Sequence, residues 1–188
     1  MKRGHLLSSI AVAFCVAAII LSVAANSTVA VTTTTVVVDK SFHMTLISNG
    51  TSTMAYPNAT GTTGDNATPV GTYKVINKQA DPHWHWEGRT YDPYLRDQQN
   101  GLGLRWIGIS LPSYGMHGTN EPFSIGKDIS HGCVRHQNRD VVAAFPSISA
   151  GASFVVIETP VPPATEAMIT DFLELYDLYA VLSASRGT

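Results

Sequence analysis

The sequence predicts a mainly β domain, a barrel or sandwich with short helices, followed by a C-terminal helix. Short runs that alternate β-branched and polar residues recur between turn signals, a pattern typical of strands with one buried face. The chain has 188 residues, 44% of them hydrophobic, which is enough for one domain with its own core. The formal net charge of -2 indicates neither a nucleic-acid groove nor binding to an anionic membrane surface.

The first 30 residues predict export. Lys2 and Arg3 precede an apolar run from Leu6 to Ala25, and small residues up to Ala30 offer cleavage sites. We expect residues 1–30 to be a signal peptide or, if it is retained, a membrane anchor, because a span needs about 20 apolar residues. The expected location is the cell envelope, in the periplasm or cell wall, with membrane contact through this segment if it is not cleaved.

Strands are predicted early in the mature chain. "VTTTTVVVDKSF" (31–42) and "HMTLISNGTSTMAY" (43–56) surround Asn49-Gly50, a pair that favours a tight hairpin. Residues 57–72 are rich in Gly, Thr, Asn and Pro and are predicted as loop, and "YKVIN" (73–77) is predicted as a strand.

Further elements are predicted in the second half. "RWIGISL" (105–111) and "SFVVIE" (153–158) have the composition of strands. Asn138 is predicted to cap a short helix. The inward face of that helix would carry Val141, Val142 and Phe145.

Residues 160–188 are predicted as a Pro-rich linker and an amphipathic helix. This helix could dock on the domain, contact a partner or lie on a membrane, and docking is the default expectation. The apolar stripe of this helix would comprise Met168, Ile169, Phe172, Leu173, Tyr176 and Tyr179.

The segment "DPHWHWEGRTYDPY" (81–94) is unusually aromatic. Its rings could line a cleft or form a lid over one. Aromatic residues near a site are common whatever their role, so packing of a surface loop against the sheet is the preferred interpretation.

Cys133 is the residue that most needs an explanation. The chain has 2 cysteines, and the other, Cys15, lies in the predicted leader, so the mature domain has no partner for a disulfide. An unpaired thiol in an oxidising compartment needs burial or a function. His117 and His131 supply bases that could activate it, and Arg135 could pair with a carboxylate.

Glycines surround these candidates. Gly118 and Gly132 allow the backbone to approach a substrate and allow N–H groups to point toward an oxyanion. Each feature alone has an ordinary structural explanation, such as a buried thiol or a surface guanidinium. Their joint occurrence favours catalysis.

The segment "GMHGTNEPFSIGKDISHGCVRHQNRDV" (115–141) closely resembles the signature of the L,D-transpeptidase catalytic (YkuD) domain. "DNATPVGTYKV" (65–75) resembles the Thr-Pro-x-Gly-x-Tyr/Phe segment of that family, and "VVVDKSFHMTLISNG" (36–50) resembles its opening hairpin. The resemblance covers residues 33–158 and implies a YkuD-type fold for the predicted domain, 31–159.

The resemblance also implies roles for individual residues. Cys133 would be the nucleophile and His117 the general base, with the carbonyl of Gly118 orienting the imidazole. Backbone N–H groups around Gly132 and Cys133 would form the oxyanion hole, and His131, at a further motif position, would shape the pocket. Residues expected to shape the pocket and bind substrate are Ser130, Arg135, Tyr114 and Trp106.

The implied function is acyl transfer on peptidoglycan stem peptides, without a cofactor, to form 3-3 cross-links through a thioester on Cys133. Carbapenem-type β-lactams would be inhibitors, because a strained lactam carbonyl mimics the scissile amide. Water as the acceptor would instead make the protein an L,D-carboxypeptidase.

Two alternatives come from other classes. The imidazoles and the thiol could form a metal-binding module, although Cys133 and His136 lack a second pair at a standard spacing. The domain could also bind the wall without catalysis, which would leave the Cys, His and Gly set without a chemical purpose. His136 stands where the family more often has an apolar residue.

Overall fold

The computed structural model describes residues 33–160 and 163–185, so the export prediction for residues 1–30 lies outside the described residues. The strands are β1 Thr35–Asp39, β2 Met44–Ser48, β3 Thr53–Pro57, β4 Thr60–Gly61, β5 Gly71–Ala80, β6 Trp84–Trp86, β7 Arg89–Tyr91, β8 Arg105–Ile109, β9 Gly115–His117, β10 Asp128–Ser130, β11 Val134–Arg135 and β12 Ser153–Ile157. The α-helices are α1 Asn138–Ala144 and α2 Pro163–Ser185, and short 3₁₀ turns span Gly64–Asn66, Pro122–Ser124 and Phe145–Ser147.

Eight strands form one sheet in the order β11-β9-β8-β5-β12-β1-β2-β3. The predicted hairpin is confirmed: β1 pairs with β2 and β2 with β3, all antiparallel. Just beyond the end of β3, Ala59 exchanges two backbone hydrogen bonds of 2.9 Å with Arg135 of β11. These bonds join the two edges of the sheet, so the expectation of a mainly β barrel or sandwich is confirmed.

The core lies on the inner face of this curled sheet. Val36 and Val38 alternate with outward residues on β1, and Phe154 and Val156 do the same on the parallel strand β12. Other fully or almost fully buried members are Ile47, Val75, Ile107, Met116, Val134, Val141, Ala144 and Ile148. Removing apolar surface from water at these positions is the main stabilising contribution to the fold.

Two local predictions need correction. The stretch 57–72, predicted as loop, contains the short strand β4, which pairs with β10, as well as a 3₁₀ turn. Asn138 is not the cap of α1: the helix begins at that residue, and Gln137 stands at the cap position without a side-chain bond. The Asn138 amide instead accepts from Leu104 N at 2.9 Å and donates to Thr119 O at 2.8 Å. Long-range partners have overridden the local capping preference.

Helix α2 docks on the domain through part of its predicted stripe. Leu173 lies against Gly126, and the Tyr176 hydroxyl donates to the carboxylate of Asp140. Met168 and Phe172, also predicted for the stripe, are exposed. No helix in the described residues is both long and apolar enough to span a membrane.

Candidate active site

Sheet register brings the two principal candidates together. Strand β9 ends at His117, and β11 begins directly after Cys133. The two strands are parallel, with Val134 opposite Met116 and Arg135 opposite His117. Side chains that are distant in sequence therefore reach the same edge of the sheet.

A cleft of about 860 Å³ lies at this edge. Seven of the residues predicted for the site line it: Cys133, His117, His131, Arg135, Ser130, Tyr114 and Trp106. The other two, Gly118 and Gly132, act through backbone contacts described below. An open space of this size is compatible with a small-molecule or peptide ligand.

His117 is held in one orientation. Its side chain is buried, and Nδ1 lies 2.6 Å from the carbonyl oxygen of Gly118. A carbonyl can only accept, so Nδ1 carries the proton and Nε2 is left as the basic nitrogen. The Trp106 ring stacks on the imidazole, with the ring centroids 5.9 Å apart. Both contacts fix the plane of the ring.

Burial sets the protonation state of this pair. It lowers the pKa of His117 to about 4, and the hydrogen bond to Gly118 offsets only part of this effect. Burial also raises the pKa of the Cys133 thiol, while a hydrogen bond from the Gly115 backbone and the charge of Arg135 oppose the rise. At neutral pH the site therefore holds a neutral imidazole and a neutral thiol. The thiol donates to the carbonyl of Ser113 at 3.5 Å.

The loop that carries the nucleophile is fixed by side-chain bonds to its backbone. Ser130 Oγ donates to the carbonyl of Cys133 at 2.6 Å and accepts from the Gly132 N–H at 3.1 Å. Thr68 Oγ1 donates to the Gly132 carbonyl at 2.9 Å. Because the Gly132 N–H already has an acceptor, the neighbouring N–H of Cys133 is the stronger candidate for an oxyanion donor.

Gly132 is required by the geometry of this loop. Its φ is +112°, which L side chains rarely adopt. A Cβ at this position would lie 2.5 Å from the ring of Tyr114. With the Tyr114 ring in this position, the backbone leaves no room for a side chain at residue 132.

The aromatic segment forms a separate hairpin of β6 and β7 beside the cleft. The Trp84 ring is stacked with that of Trp86 at 5.7 Å between centroids, and Trp86 lies 5.2 Å from the ring of His131. Trp84, Trp86 and Tyr91 all line the cleft. Among the described strands β6 and β7 pair only with each other, so these rings match the cleft-lining alternative that the sequence analysis ranked second.

Sequence reasoning missed Glu121. This residue lines the cleft, and its carboxylate forms an ion pair with Arg135 at 2.6 Å. The only signal in the sequence was its position inside the quoted motif, between the His-Gly-Thr and Ser-Ile-Gly elements.

His136 lies behind the site and is completely buried. Its Nε2 is 3.2 Å from Thr45 Oγ1, which also accepts from Asn58 Nδ2 at 2.9 Å. Burial lowers the pKa of His136 to about 3, so the ring is neutral under ordinary conditions. The buried ring therefore has a polar neighbour in Thr45.

The metal-binding alternative lacks the necessary geometry. Within residues 33–160 and 163–185, no three His, Cys, Asp or Glu side chains converge on a point that could hold a metal ion. His83 and His85 line the cleft but do not form such a group with the thiol.

A closed β sheet thus presents a cysteine and an oriented histidine in one open cleft, and comparison with known proteins identifies the family. The chain belongs to the L,D-transpeptidase catalytic domain family (YkuD), whose model matches residues 33–157. A putative L,D-transpeptidase, YqjB of Bacillus subtilis, is 37% identical over 111 residues, which are 55% of this chain and 58% of that protein. The chain thus spans less than two thirds of the length of this relative.

Solved structures share the fold. An L,D-transpeptidase from Mycobacterium tuberculosis H37Rv matches with a TM-score of 0.54 and 19% identity, covering 67% of this chain and 58% of that one. L,D-transpeptidase 3 from M. tuberculosis, in complex with a faropenem-derived adduct, matches with a TM-score of 0.52 and 17% identity, covering 67% and 60%. These similarities support the β architecture described above.

Proposed function

We propose that the protein is a cysteine-dependent L,D-transpeptidase that joins peptidoglycan stem peptides by 3-3 cross-links. The observation that carries the proposal is the convergence of Cys133 and His117 in one cleft, with Nδ1 of the imidazole engaged by Gly118 and Nε2 left as a base. Family membership supports the same reaction class. Because this substrate lies outside the cytoplasmic membrane, we propose that the protein acts in the cell envelope.

The first half of the reaction forms a thioester. The thiol proton of Cys133 leaves the Ser113 carbonyl and moves to Nε2 of His117 as sulfur attacks the carbonyl between the third stem residue, a diamino acid, and D-alanine. The oxyanion is stabilised by the N–H of Cys133. The imidazolium then protonates the leaving amine, the C–N bond breaks, and D-alanine departs.

The second half transfers the acyl group. The side-chain amine of another stem attacks the thioester carbonyl and gives its proton to His117. The C–S bond breaks, and the thiolate takes this proton back, so the enzyme returns to its neutral pair. With water as the nucleophile, the same steps release a tripeptide.

A neutral resting pair suits this sequence of steps. A thiol without charge loses no ion-pair stabilisation when a peptide displaces solvent from the cleft, and an imidazole with a low pKa returns its proton readily. The driving force for proton transfer from Cys133 to His117 must then come from the bond that sulfur forms with the carbonyl carbon.

The test combines a covalent probe with a product assay. A carbapenem should add its whole mass to the protein at Cys133, because ring opening releases no fragment, and Cys133→Ala should show no adduct. Incubation with tetrapeptide stems should give a cross-linked dimer and free D-alanine. Tripeptide alone would favour the carboxypeptidase, and unchanged stems with no carbapenem adduct would refute the proposal. The M. tuberculosis enzyme solved with a faropenem-derived adduct supports the choice of a β-lactam probe.

A further inference from the structure

We infer that Glu121 and Arg135 together form a receptor for a zwitterionic amino-acid head group, and that Glu121 determines specificity for it. The inference rests on the proposed function and adds to it the chemistry of the donor side chain. The predicted ligand is the far end of the diamino acid in the donor stem, where an ammonium and a carboxylate share one carbon.

The charges of the cleft support this pairing. Histidines aside, Glu121 and Arg135 are the only acidic and basic side chains among the described residues that line it. They contact each other through Oε2 and Nη1 at 2.6 Å. A guanidinium has five N–H donors and a carboxylate two acceptor oxygens, so one contact leaves both groups with capacity for a ligand.

Both side chains project from fixed backbone. The carbonyl of Glu121 accepts from Ser124 N at 2.9 Å and from Ser124 Oγ at 2.7 Å, and its N–H donates to Thr119 Oγ1 at 2.9 Å. Arg135 belongs to β11 and is held by Ala59 on one side and β9 on the other. The pair is therefore positioned before a ligand arrives, which reduces the ordering cost of binding.

Arg135 is largely buried, whereas Glu121 is largely exposed, so the two groups can contact different parts of a ligand. The Arg135 side chain is 16% exposed, whereas that of Glu121 is 60% exposed. Arg135 is close enough to the sulfur and the imidazole for its charge to act on the pKa of both groups. Arg135 can thus hold a carboxylate near the reacting atoms, while Glu121 presents its free oxygen to the ammonium from the open side.

The ammonium bound here is not the reacting amine. An attacking amine must be neutral, and a carboxylate beside it would keep it protonated. The side-chain end of the donor residue meets the opposite requirement, because its ammonium takes no part in acylation. We therefore assign the pair to the donor and not to the acceptor.

The test uses three donor tetrapeptides that differ only at this end of the third residue: the free zwitterion, its carboxamide, and its N-acetyl form. D-alanine release is followed in a single turnover, with the full chain in excess over the donor, so that no acceptor amine is needed. Its rate should favour the zwitterion over each of the others by about tenfold, as expected for loss of a charge-assisted hydrogen bond. In Glu121→Gln the preference over the N-acetyl donor should disappear, while the preference over the carboxamide, which depends on Arg135, should remain.

The chain offers a matched control. Glu158 is 61% exposed and pairs with Lys40, which is 16% exposed, outside the cleft lining. Glu158→Gln removes an equivalent ion pair, and we expect the rates of D-alanine release from the three donors to stay at their wild-type values.

The outcomes separate the two proposals. Equal rates for the three donors in the wild type would overturn the inference but leave the proposed transpeptidase activity standing. The same holds if Glu121→Gln still prefers the zwitterion over the N-acetyl donor. Absence of D-alanine release from every donor, together with no carbapenem adduct, would refute the proposed function itself and the inference with it.

Discussion

Gly132→Ala would place a methyl group where the loop before the nucleophile passes Tyr114. Gly132 has a φ of +112°, and an added Cβ would lie 2.5 Å from Cε1 of the Tyr114 ring. Thr68 and Ser130 hold this part of the loop through its backbone. The loop can therefore yield only by breaking these bonds or by moving the ring.

The cost has two parts. An L residue held at this φ is strained by about 1–3 kcal/mol. Relief of the contact with Tyr114 should add about 1–3 kcal/mol, as overpacking does elsewhere in protein interiors. The free energy of unfolding should thus fall by about 2–6 kcal/mol in total. A displacement of the sulfur by about 1 Å would slow acylation about a hundredfold.

Gly151→Ala isolates the strain. The φ of Gly151 is +86°, and no atom lies within 4 Å of an added Cβ, so this variant carries only the first part. Chemical denaturation gives both free energies of unfolding, and the carbapenem adduct followed by mass spectrometry gives the acylation rate. We expect Gly132→Ala to lose more stability than Gly151→Ala by about 1–3 kcal/mol, and only Gly132→Ala to lose acylation.

A Gly132→Ala protein that matched Gly151→Ala in stability and acylated at the wild-type rate would refute this reasoning. It would mean that the loop moves freely past Tyr114. A second variant refines the result: Tyr114→Ala in the Gly132→Ala background should recover part of the contact cost but none of the strain.

Two further predictions concern protonation. Alkylation of Cys133 by iodoacetamide should accelerate as pH rises to and beyond the ordinary thiol pKa of 9.0, because burial raises the pKa and only the thiolate reacts; a plateau near neutrality would instead indicate a resting thiolate–imidazolium pair. The pKa of His136 is 6.5 in the unfolded reference and about 3 when buried, so the unfolded chain binds the extra proton and stability falls as pH drops below 6.5. From pH 6.5 to 5 the loss due to this residue should approach about 2 kcal/mol, at about 1.4 kcal/mol per pH unit. Chemical denaturation at pH 6.5 and pH 5 gives the difference in the free energy of unfolding. His136→Leu should remove the contribution of His136 from this difference, whereas substitution of the exposed His85 by Leu should leave that contribution in place.

Strand prediction succeeded where burial has a local pattern. The alternation around Val36 and Val38 is visible in the sequence because successive side chains of a strand point to opposite faces of the sheet. The turn at Asn49-Gly50 was equally local: Asn49 Oδ1 accepts from the backbone N–H groups of Thr51 and Ser52. Such signals need no knowledge of the rest of the fold.

Prediction failed where a distant partner decides. Asn138 has the side chain of a helix cap, but the partners it found are Leu104 and Thr119. The position of Glu121 opposite Arg135 depends on how the sheet closes, which no local pattern encodes. The aromatic hairpin was recognised as unusual, but its position beside the cleft depends on the same closure.

Candidate site residues were easier to find than their environment. The motif around His117 and Cys133 indicated which side chains would meet, and both line one cleft. Their neutral resting state could not be predicted, because it follows from burial and not from residue type. The roles assigned to these residues remain proposals for the experiments above.

The exchange of backbone bonds between Ala59 and Arg135 has a consequence for assembly of the protein. This junction unites parts of the chain that are far apart in sequence, so we expect it to form after the local hairpins. Until it forms, strand β11, which begins directly after Cys133 and carries Arg135, lacks one of its two neighbours. We therefore expect the site around Cys133 to be complete only once this junction has closed the sheet.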